Sequence, residues 1–444
     1  MTTLASSPTT DRWPGLYDVP AGPKARVAAA ISRKIFQVAA ARLGIAVIIP
    51  NSDAWPVDPG TDLPEAAVRG AGIGGPTIVL HRPDEFFRRI GTDGLIGFGE
   101  GFQTGAWSSP DLGHLLTVMA SEITTLVPDW MQSMRRFYVA RAPHFHRNTV
   151  TQTRSNIAHH YDLSNDLFRT FLDPTLSYSS ALFDTPVADR HGFSEAAPPS
   201  GVSTLDLEQA QGRKIERLLD LAGVGAGSRV LEIGTGWGEL AIRAARRGAT
   251  VVSVTLSREQ KALADERIAA AGYADACDVR LQDYRQVSGT YDAVLSVEMI
   301  EAVGHEYWQT YFEKIDSVLV PGGKAAIQAI TMPHDRMLAT KYTYTWINKY
   351  IFPGGFLPSV RVIEEITRAH TALRVTDRLS FGRHYAATLE LWDRAFLAHR
   401  ESVRDLGFDE VFERMWHFYL QYSRGGFASG YIDVNQITFT KETA

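Results

Sequence analysis

Short apolar runs alternate with helical patterns over the middle of the chain. The runs lie at residues 229–233, 250–255, 278–281, 291–297 and 324–330, and amphipathic segments fill the intervals between them. Regular alternation of buried strands with helices predicts an α/β fold built on a parallel, doubly wound sheet. Ligands of such sheets bind beyond the carboxyl ends of the strands. The segments in which to look for chemistry are therefore residues 232–238, 255–260, 283–285, 298–304 and 328–331.

The N-terminal part of the chain follows a different pattern. Residues 1–22 are rich in Thr, Ser, Pro and Gly and predict a flexible arm. A helical pattern begins at Pro23, with Ile31, Ile35, Val38 and Ala39 on one face. Its charges are all positive: Lys24, Arg26, Arg33, Lys34 and Arg42. Two interpretations of this basic amphipathic helix stay open, a solvated cationic face and attraction to an anionic lipid surface.

These patterns divide the chain into an arm, two domains and a linker. The strand-like stretches GIAVII and TIVLH place a small α+β accessory domain, facing lipid, at residues 23–125. The basic and aromatic stretch WMQSMRRFYVARAPHFHR predicts a linker at 126–150, which leaves 151–444 as the catalytic domain. Beyond Asp335 the pattern turns helical and aromatic. Tyr342, Trp346 and Tyr350 are spaced four apart, as in a core ridge or in the wall of an acyl channel.

Composition narrows the functional classes. The chain has 444 residues, 45% of them hydrophobic, which is enough for a sizeable core. Its formal net charge of −5 argues against a general nucleic-acid binder. The single Cys277 excludes an internal disulfide and a cysteine-built metal site. Neither a signal peptide nor an apolar run of roughly 20 residues is present, so we expect a cytoplasmic protein whose membrane contact is peripheral.

The stretch VLEIGTGWGEL, residues 230–240, predicts a strand, a tight glycine turn and a helix, which together let a ligand approach the backbone. Gly234, Gly236 and Gly238 follow a Gly-x-Gly-x-Gly spacing, unlike the Gly-x-Gly-x-x-Gly of dinucleotide sites. Glu232 lies in the apolar strand just before them. Because burying a lone carboxylate is costly, we expect Glu232 to meet hydrogen-bond donors or a cation.

The residues at the strand ends favour one cofactor over the others. A pyrophosphate would repel Glu232, whereas S-adenosylmethionine carries a sulfonium and an ammonium and no phosphate. The stretch LQDYR places Asp283 and Tyr284 after the third strand. There a carboxylate can accept a hydrogen bond from an adenine amine, and an aromatic ring can stack on the base. The pattern therefore favours S-adenosylmethionine over NAD.

Seven stretches, taken in order, resemble one known family. They are HHYDLSNDLFRTFLDPTLSYSSALF, VLEIGTGWGELA, VTLSREQ, SVEMIEAVGHEYW, YIFPGGFLPS, FGRHYAATLELW and GYIDVNQITF. Over about residues 150–440 the chain is similar to the cyclopropane-fatty-acyl-phospholipid synthase family, which includes mycolic acid cyclopropane synthases and methylene-forming relatives on the way to tuberculostearic acid. The resemblance implies a class I S-adenosylmethionine-dependent methyltransferase, with a Rossmann-like doubly wound sheet and helical lipid-binding insertions.

The resemblance also implies a set of cofactor contacts. They are Tyr161, Tyr178, Ser179, Gly234, Gly236, Leu256, Gln260 and Tyr284, to which the patterns above add Glu232, Gly238 and Asp283. We expect His159 and His160 to be structural. No metal site is predicted, because no cluster with metal-ligand spacing accompanies them.

The implied chemistry needs a base as well. Methyl transfer to an isolated alkene creates a carbocation, which must be stabilised and must then lose a proton before water captures it. In the family a bound bicarbonate is thought to be that base, and its site maps to Ser180, Glu301, Gln328, Ile330 and Tyr385. This chain departs from the family pattern at three positions: Ser180 stands for a Cys, and Gln328 and Ala302 each stand for a His.

The departures leave the identity of the base open, and with it the product. A base that is held less tightly gives a hydride shift time to compete with ring closure, so we expect a substantial methylene-branched product, with cyclopropane as the alternative.

The sequence thus predicts a C-methyltransferase acting on the cis double bond of unsaturated acyl chains in phospholipids, at the inner face of a membrane. Two alternatives stay open, a methyltransferase of a small soluble acceptor and a non-catalytic protein that binds lipid or cofactor. Glu301 and Tyr385 speak against the second, because a pure binder has no need of a carboxylate in a reaction pocket. Whether the protein forms a homodimer is left open.

Overall fold

The computed structural model describes residues 12–50, 75–122, 164–190 and 193–443. These residues form two compact units. The first unit holds the described residues up to 122 together with 344–346 and 400–429, and the second holds the others. The predicted domain boundaries at 125 and 150 lie outside the described residues and stay a prediction.

The strands in the described ranges are β1 (Ala46–Ile48), β2 (Thr77–Leu80), β3 (Trp107–Ser108), β4 (Val187–Arg190), β5 (Phe193–Ala196), β6 (Arg229–Ile233), β7 (Thr250–Thr255), β8 (Cys277–Leu281), β9 (Tyr291–Val297), β10 (Leu319–Thr331), β11 (Leu373–Ser380) and β12 (Asp433–Lys441). The α-helices are α1 (Gly22–Leu43), α2 (Pro83–Asp93), α3 (Leu95–Gln103), α4 (Leu112–Ser121), α5 (Asn165–Arg169), α6 (Thr204–Leu221), α7 (Glu239–Arg246), α8 (Arg258–Ala270), α9 (Ile300–Val303), α10 (Trp308–Val318), α11 (His334–Thr340), α12 (Trp346–Tyr350), α13 (Val360–His370), α14 (Gly382–Ala398), α15 (Arg400–Asp405) and α16 (Glu410–Ala428).

The first unit is a small α+β assembly. Its sheet has the order β1-β2-β3, with β1 parallel and β3 antiparallel to β2. Helices α2, α3, α4 and α16 surround an aromatic core in which Phe86, Phe98 and Phe418 each contact Trp107. The buried Arg89 guanidinium is paired with Glu85 at 2.8 Å and with Glu100 at 3.4 Å. This pairing offsets the cost of taking a cation out of water.

The predicted helix near Pro23 is confirmed as α1, but its apolar face is not buried. The residues that α1 buries are small, Ala25 and Ala40. Four larger apolar side chains face solvent: Val27 is 61%, Ile31 56%, Ile35 37% and Val38 70% exposed. Among the described residues, no helix combines the length and apolar character needed to cross a bilayer.

The second unit is built on a nine-stranded sheet with the order β4-β5-β11-β12-β10-β9-β6-β7-β8. The five strands from β6 to β10 pair in parallel, which confirms the predicted doubly wound part. Alternate residues of β6 feed two cores. Val230 packs with residues of α6 and α7, and Leu231 packs with Phe312 and Ile327 on the other side of the sheet. Strand β6 pairs with β7 on one side and with β9 on the other, so the chain switches direction across the sheet beside it, where α/β sheets bind ligands.

The sheet as a whole is mixed, which the sequence did not predict. Strands β11 and β12 come from the region expected to be helical, and β12 pairs antiparallel with both β10 and β11. The buried polar residues Asn435, Gln436 and Thr438 interrupt the apolar pattern of β12. Because the side chains of Asn435 and Gln436 find hydrogen-bond partners inside the protein, the strand is buried without an apolar sequence pattern.

The single helical face expected for Tyr342, Trp346 and Tyr350, as a core ridge or as the wall of an acyl channel, is wrong. Helix α11 ends at Thr340 and α12 begins at Trp346, so Tyr342 lies in the connection between them. Tyr342 is 75% exposed, whereas Trp346 is buried and donates to Gln103. A spacing of four residues puts side chains on one face only within a continuous helix.

Candidate active site

A pocket opens in the second unit at the carboxyl ends of β6, β7 and β9. It lies where the parallel pattern predicts a ligand. Its lining comes from residues 175–179, 214, 215, 232–237, 239, 240, 254–256, 260, 282–284, 297–299, 302 and 303.

The glycine turn forms one wall of the pocket. Gly234 has a φ of +98°, and a Cβ there would lie 2.5 Å from Met299 Cγ, so no side chain fits. Gly236 has a φ of +52° and lines the pocket, and a Cβ there would meet no protein atom within 4 Å. The backbone therefore leaves open space beside Gly236 for a ligand.

Gly238 differs from the other two glycines, and its expected contact with a cofactor stays a prediction. It is not among the lining residues, and its Cβ position faces Ala264 of α8 at 3.2 Å. Its φ of +89° starts α7. The glycine thus serves the close approach of two helices and the turn into α7.

Glu232 is buried in the pocket wall, 3% exposed, and Ser253 on the neighbouring strand donates a hydrogen bond to it. This hydroxyl is the kind of donor that the sequence led us to expect. Burial is the main influence on the carboxyl group and raises the pKa of Glu232 to about 8, with the Ser253 hydrogen bond acting in the other direction. The side chain therefore gains from any cation that enters the pocket.

Asp283 and Tyr284, the residues assigned to adenine, also line the pocket. Both carboxylate oxygens of Asp283 accept from Arg285, at 2.9 and 2.6 Å, so this carboxylate is already paired with a guanidinium. The Tyr284 ring packs edge-on against Tyr311, and its buried hydroxyl has no partner among the described residues. Burial raises the pKa of Tyr284, so the phenol is neutral. Leu256 and Gln260 complete this side, with Gln260 Oε1 accepting from Thr255.

Tyr178 and Ser179 form the opposite side. The Tyr178 ring stacks on Trp392 at a centroid distance of 5.2 Å. Ser179 Oγ accepts from Lys214 Nζ at 2.6 Å, and the buried Lys214 lines the pocket too. Lys214 could not be predicted from the sequence, because one lysine on an amphipathic helix carries no motif. Tyr161, His159, His160 and the basic aromatic linker lie outside the described residues.

The residues assigned to a bicarbonate site meet at a carboxylate that sequence analysis did not single out, Glu298. Ser180 N–H and Gln328 Nε2 donate to Glu298 Oε1 at 2.9 and 2.8 Å. The Tyr385 hydroxyl donates to Glu298 Oε2 at 2.7 Å. Glu298 lines the pocket, while its three donors stand behind it.

Glu301 and Ile330 lie together beside this cluster. Glu301 Oε1 accepts from Ile330 N–H, and Glu301 Oε2 has no partner among the described residues. Glu301 does not line the pocket, although its neighbour Ala302 does. Burial, followed by the nearby charge of Glu298, raises the pKa of Glu301 to about 8. Of the two carboxyl groups, Glu298 receives more hydrogen bonds and is the better placed to be ionised.

Within the described ranges, no group of three or more His, Cys, Asp or Glu side chains could hold a metal ion.

Comparison with known proteins identifies relatives that cover most of the chain. The sequence model of the mycolic acid cyclopropane synthetase family matches residues 148–437. The tuberculostearic acid methyltransferase UfaA1 of Mycobacterium tuberculosis is 49% identical over 433 residues, which cover 98% of this chain and 96% of that protein. The cyclopropane-fatty-acyl-phospholipid synthase of Escherichia coli is 34% identical over 370 residues, 82% of this chain and 87% of that protein.

Solved structures of two cyclopropane synthases are also similar to this chain. The cyclopropane synthase MmaA2 of M. tuberculosis superposes with a TM-score of 0.57 at 32% identity, covering 68% of this chain and 99% of that one. The mycolic acid cyclopropane synthase CmaA1, complexed with SAH and CTAB, has a TM-score of 0.56, again at 32% identity and with the same coverage.

Proposed function

This chain belongs to the mycolic acid cyclopropane synthetase family, and from this premise we propose that it is an S-adenosylmethionine-dependent C-methyltransferase acting on the cis double bond of unsaturated acyl chains in phospholipids. The family match carries the proposal, because it spans residues 148–437 and so includes every residue that lines the pocket. The phospholipid substrate is supported by the name of the E. coli relative.

The pocket residues fit S-adenosylmethionine. The open space beside Gly236 admits a ligand close to the backbone, and the buried Glu232 suits a ligand that carries positive charge and no phosphate. Tyr284 supplies an aromatic face for an adenine, and its unpartnered hydroxyl can take a further hydrogen bond. When bound, the cofactor supplies an electrophilic methyl group on a sulfonium.

The chain's own residues suit the chemistry of an alkene. An isolated double bond is a poor nucleophile, so its alignment is the first requirement. The positive charge that then develops on the acyl chain is stabilised by carboxylates and aromatic faces. Glu298 and the Tyr178 ring, which is held by Trp392, provide one of each in the pocket wall.

The product we propose is a methylene-branched chain. Gln328 supplies a neutral amide and Ala302 only a methyl group at positions where the family pattern has imidazoles. The Gln328 side chain is fixed on both sides, since its Nε2 donates to Glu298 and its Oε1 accepts from Gln436 at 3.1 Å. A base held by neutral donors leaves time for a hydride shift before the proton is lost. Immediate proton loss would give the cyclopropane instead.

A host that contains unsaturated phospholipids and no related enzyme tests this proposal. Expression of the protein with labelled methionine should place the label in released acyl esters that catalytic hydrogenation converts to saturated methyl-branched chains. Cyclopropane esters survive mild hydrogenation. Label in such esters would show that the product is a cyclopropane chain and not the proposed methylene-branched chain. An absence of label from the acyl chains would contradict the proposed function.

We also propose that α1 assists contact with the lipid surface. Lys24 and Lys34 lie at helical spacing from the exposed Val27, Ile31 and Val38, and neither lysine has an ion pair among the described residues. Arg33 is different, because it pairs with Asp84 at 3.1 Å and lies over the Phe87 ring. An apolar stripe flanked by unpaired cations is typical of helices that lie in an anionic membrane surface.

A further inference from the structure

We propose that Glu298 is the general base of the reaction, a built-in carboxylate that takes the place of a bound bicarbonate. The inference rests on the proposed function and goes beyond it, because it names the group that accepts the proton. Four observations carry it: the donors around the carboxylate, its backbone conformation, its access to the pocket and its electrostatic surroundings.

Three donors from separate parts of the chain converge on the Glu298 carboxylate. Ser180 N–H comes from the segment before α6, Gln328 from β10 and Tyr385 from α14. Such convergence fixes the position of both oxygens. It also favours the ionised form, because each donor binds a carboxylate more strongly than a neutral acid.

The backbone at Glu298 is held in a conformation that side chains rarely adopt. Its φ is +51°, and Leu176, at +53°, is the other non-glycine residue with positive φ in the described ranges. Both residues line the pocket. Glu298 N–H donates to Gln328 O at 2.7 Å, which anchors the strained residue to β10. The left-handed conformation is strained for a non-glycine residue, and such strain is concentrated at functional sites.

A bicarbonate ion does not fit beside this side chain. The groups that would hold it, Ser180 N–H, Gln328 Nε2 and the Tyr385 hydroxyl, already donate to Glu298. A second anion would meet the negative charge of Glu298 with no donor left for it in this cluster. Glu301 would repel it further if ionised. The chain therefore supplies covalently the carboxylate that the family resemblance assigns to a bound ion.

The surroundings suit a base. Burial raises the pKa of Glu298, while its three hydrogen bonds and the charge of Lys214 act in the opposite direction. Lys214 is itself buried in the pocket wall, and burial lowers its pKa to about 8. An ionised carboxylate in such poorly solvated surroundings accepts a proton more readily than one in water.

Methyl transfer and proton loss together conserve atoms and electrons. The π electrons of the acyl double bond form the new bond to the methyl carbon, and the electron pair of the sulfur–methyl bond stays on sulfur, giving S-adenosylhomocysteine. The acyl chain is left as a cation. Glu298 takes a proton from the transferred methyl group, and that C–H electron pair forms the exocyclic double bond after a hydride shift, or closes a three-membered ring without one. The resulting carboxylic acid returns its proton to solvent.

Two substitutions test the assignment. Glu298→Gln keeps the shape of the side chain but removes its basicity, and we expect turnover to fall about 10²- to 10⁴-fold, the usual contribution of a general base, with cofactor affinity retained. Glu298→Gly removes the carboxylate and relieves the positive φ, so it leaves the three donors facing an open space. Glu306→Gln, the same change at an exposed residue outside the site, is the matched control and should leave turnover unchanged.

Bicarbonate separates the built-in base from a bound one. Turnover of the unaltered protein should be the same in buffers freed of carbon dioxide and in buffers with added bicarbonate. In Glu298→Gly, added bicarbonate should restore turnover in a saturable way. Independently of activity, ¹³C-labelled bicarbonate should show saturable line broadening in NMR with Glu298→Gly and none with the unaltered protein.

Any one of three results would overturn the assignment of Glu298 as the base. They are full turnover in Glu298→Gln, a requirement of the unaltered protein for bicarbonate, and binding of labelled bicarbonate by the unaltered protein. Failure of Glu298→Gly to bind bicarbonate would contradict the idea that the side chain fills an anion site. Failure of the unaltered protein to methylate any unsaturated phospholipid would instead refute the proposed function, and the NMR measurement would still test the anion site.

Discussion

At the scale of single residues, four acidic side chains near the pocket differ in what their surroundings provide. Asp283 is bound on both oxygens by one guanidinium, Glu298 receives three uncharged donors, Glu301 one backbone N–H and Glu232 one hydroxyl. Glu232 and Glu301 could be predicted from the sequence, because Glu232 is a carboxylate in an apolar strand and Glu301 lies in a family motif.

The role of Glu298 could not be predicted in the same way. Residue 298 falls inside a segment that the strand pattern marks as a ligand edge. Its importance depends on a positive φ and on donors that lie 118, 30 and 87 residues away along the chain. Neither a backbone angle nor long-range convergence leaves a periodic signal in the sequence. The family resemblance therefore indicated Ser180, Gln328 and Tyr385 as site residues, but it did not indicate Glu298, the carboxylate to which they donate.

The pKa of Glu232 leads to a prediction about stability. Its value of about 8 in the folded protein lies above that of an unfolded Glu, so the folded state binds the extra proton and stability is lost as pH rises towards 8. At about 1.4 kcal/mol per pKa unit, this group alone lowers the free energy of unfolding by about 2 kcal/mol between pH 6 and 8. Glu232→Gln should flatten this decline. Chemical denaturation of both proteins at the two pH values measures it, and parallel declines would contradict the assignment.

Gly236 gives a second prediction at this scale. Gly236→Ala places a methyl group in the open space of the pocket without touching other protein atoms, so we expect S-adenosylmethionine affinity to fall while the fold persists. The backbone strain of a positive φ, about 1–2 kcal/mol, must be separated from this effect. Gly201→Ala is the control, because Gly201 has a φ of +66°, open space around its Cβ position and no place in the pocket. Equal cofactor affinity in the two variants, measured by calorimetry, would refute the role of Gly236.

At the scale of elements, the parallel strands were predictable because burial on both faces leaves mostly apolar stretches in β6, β7 and β9. Strand β12 was not, because Asn435 and Gln436 are buried in it as polar residues. Gln436 bonds to Gln328 and to the Lys214 carbonyl, so the polar interior of β12 supports the residues behind Glu298. The buried polar residues that make β12 hard to recognise in the sequence thus also stabilise the site.

Helix α1 gives the prediction that belongs to an element. Each cation near an anionic surface contributes about 1 kcal/mol, so Lys24→Ala with Lys34→Ala should weaken association with anionic vesicles by on the order of tenfold or more. The association of the unaltered protein should also weaken as salt rises. Arg246→Ala with Arg383→Ala removes the same charge from exposed positions of the second unit and is the matched control. Equal losses in the two double variants, measured by vesicle sedimentation, would contradict a lipid-facing role for α1.

At the scale of the whole molecule, the two units carry different parts of the proposed function. The pocket and the Glu298 cluster lie entirely in the second unit, and the family match covers that unit's described residues from 164 to 399. The exposed apolar helix α1 lies in the first unit. The 49% identity to UfaA1 extends over 98% of the chain and so includes both units.

The most direct test of the central claim uses purified protein, vesicles of a phospholipid with cis-unsaturated acyl chains, and S-adenosylmethionine with a fully deuterated methyl group. Mass spectrometry of the released acyl esters should show one added carbon bearing two of the three deuteriums, because one is lost to the base. The Gly236→Ala variant should show little of this product. Consumption of the cofactor with no deuterium in the acyl chains, or transfer of the label to a soluble acceptor instead, would contradict the account.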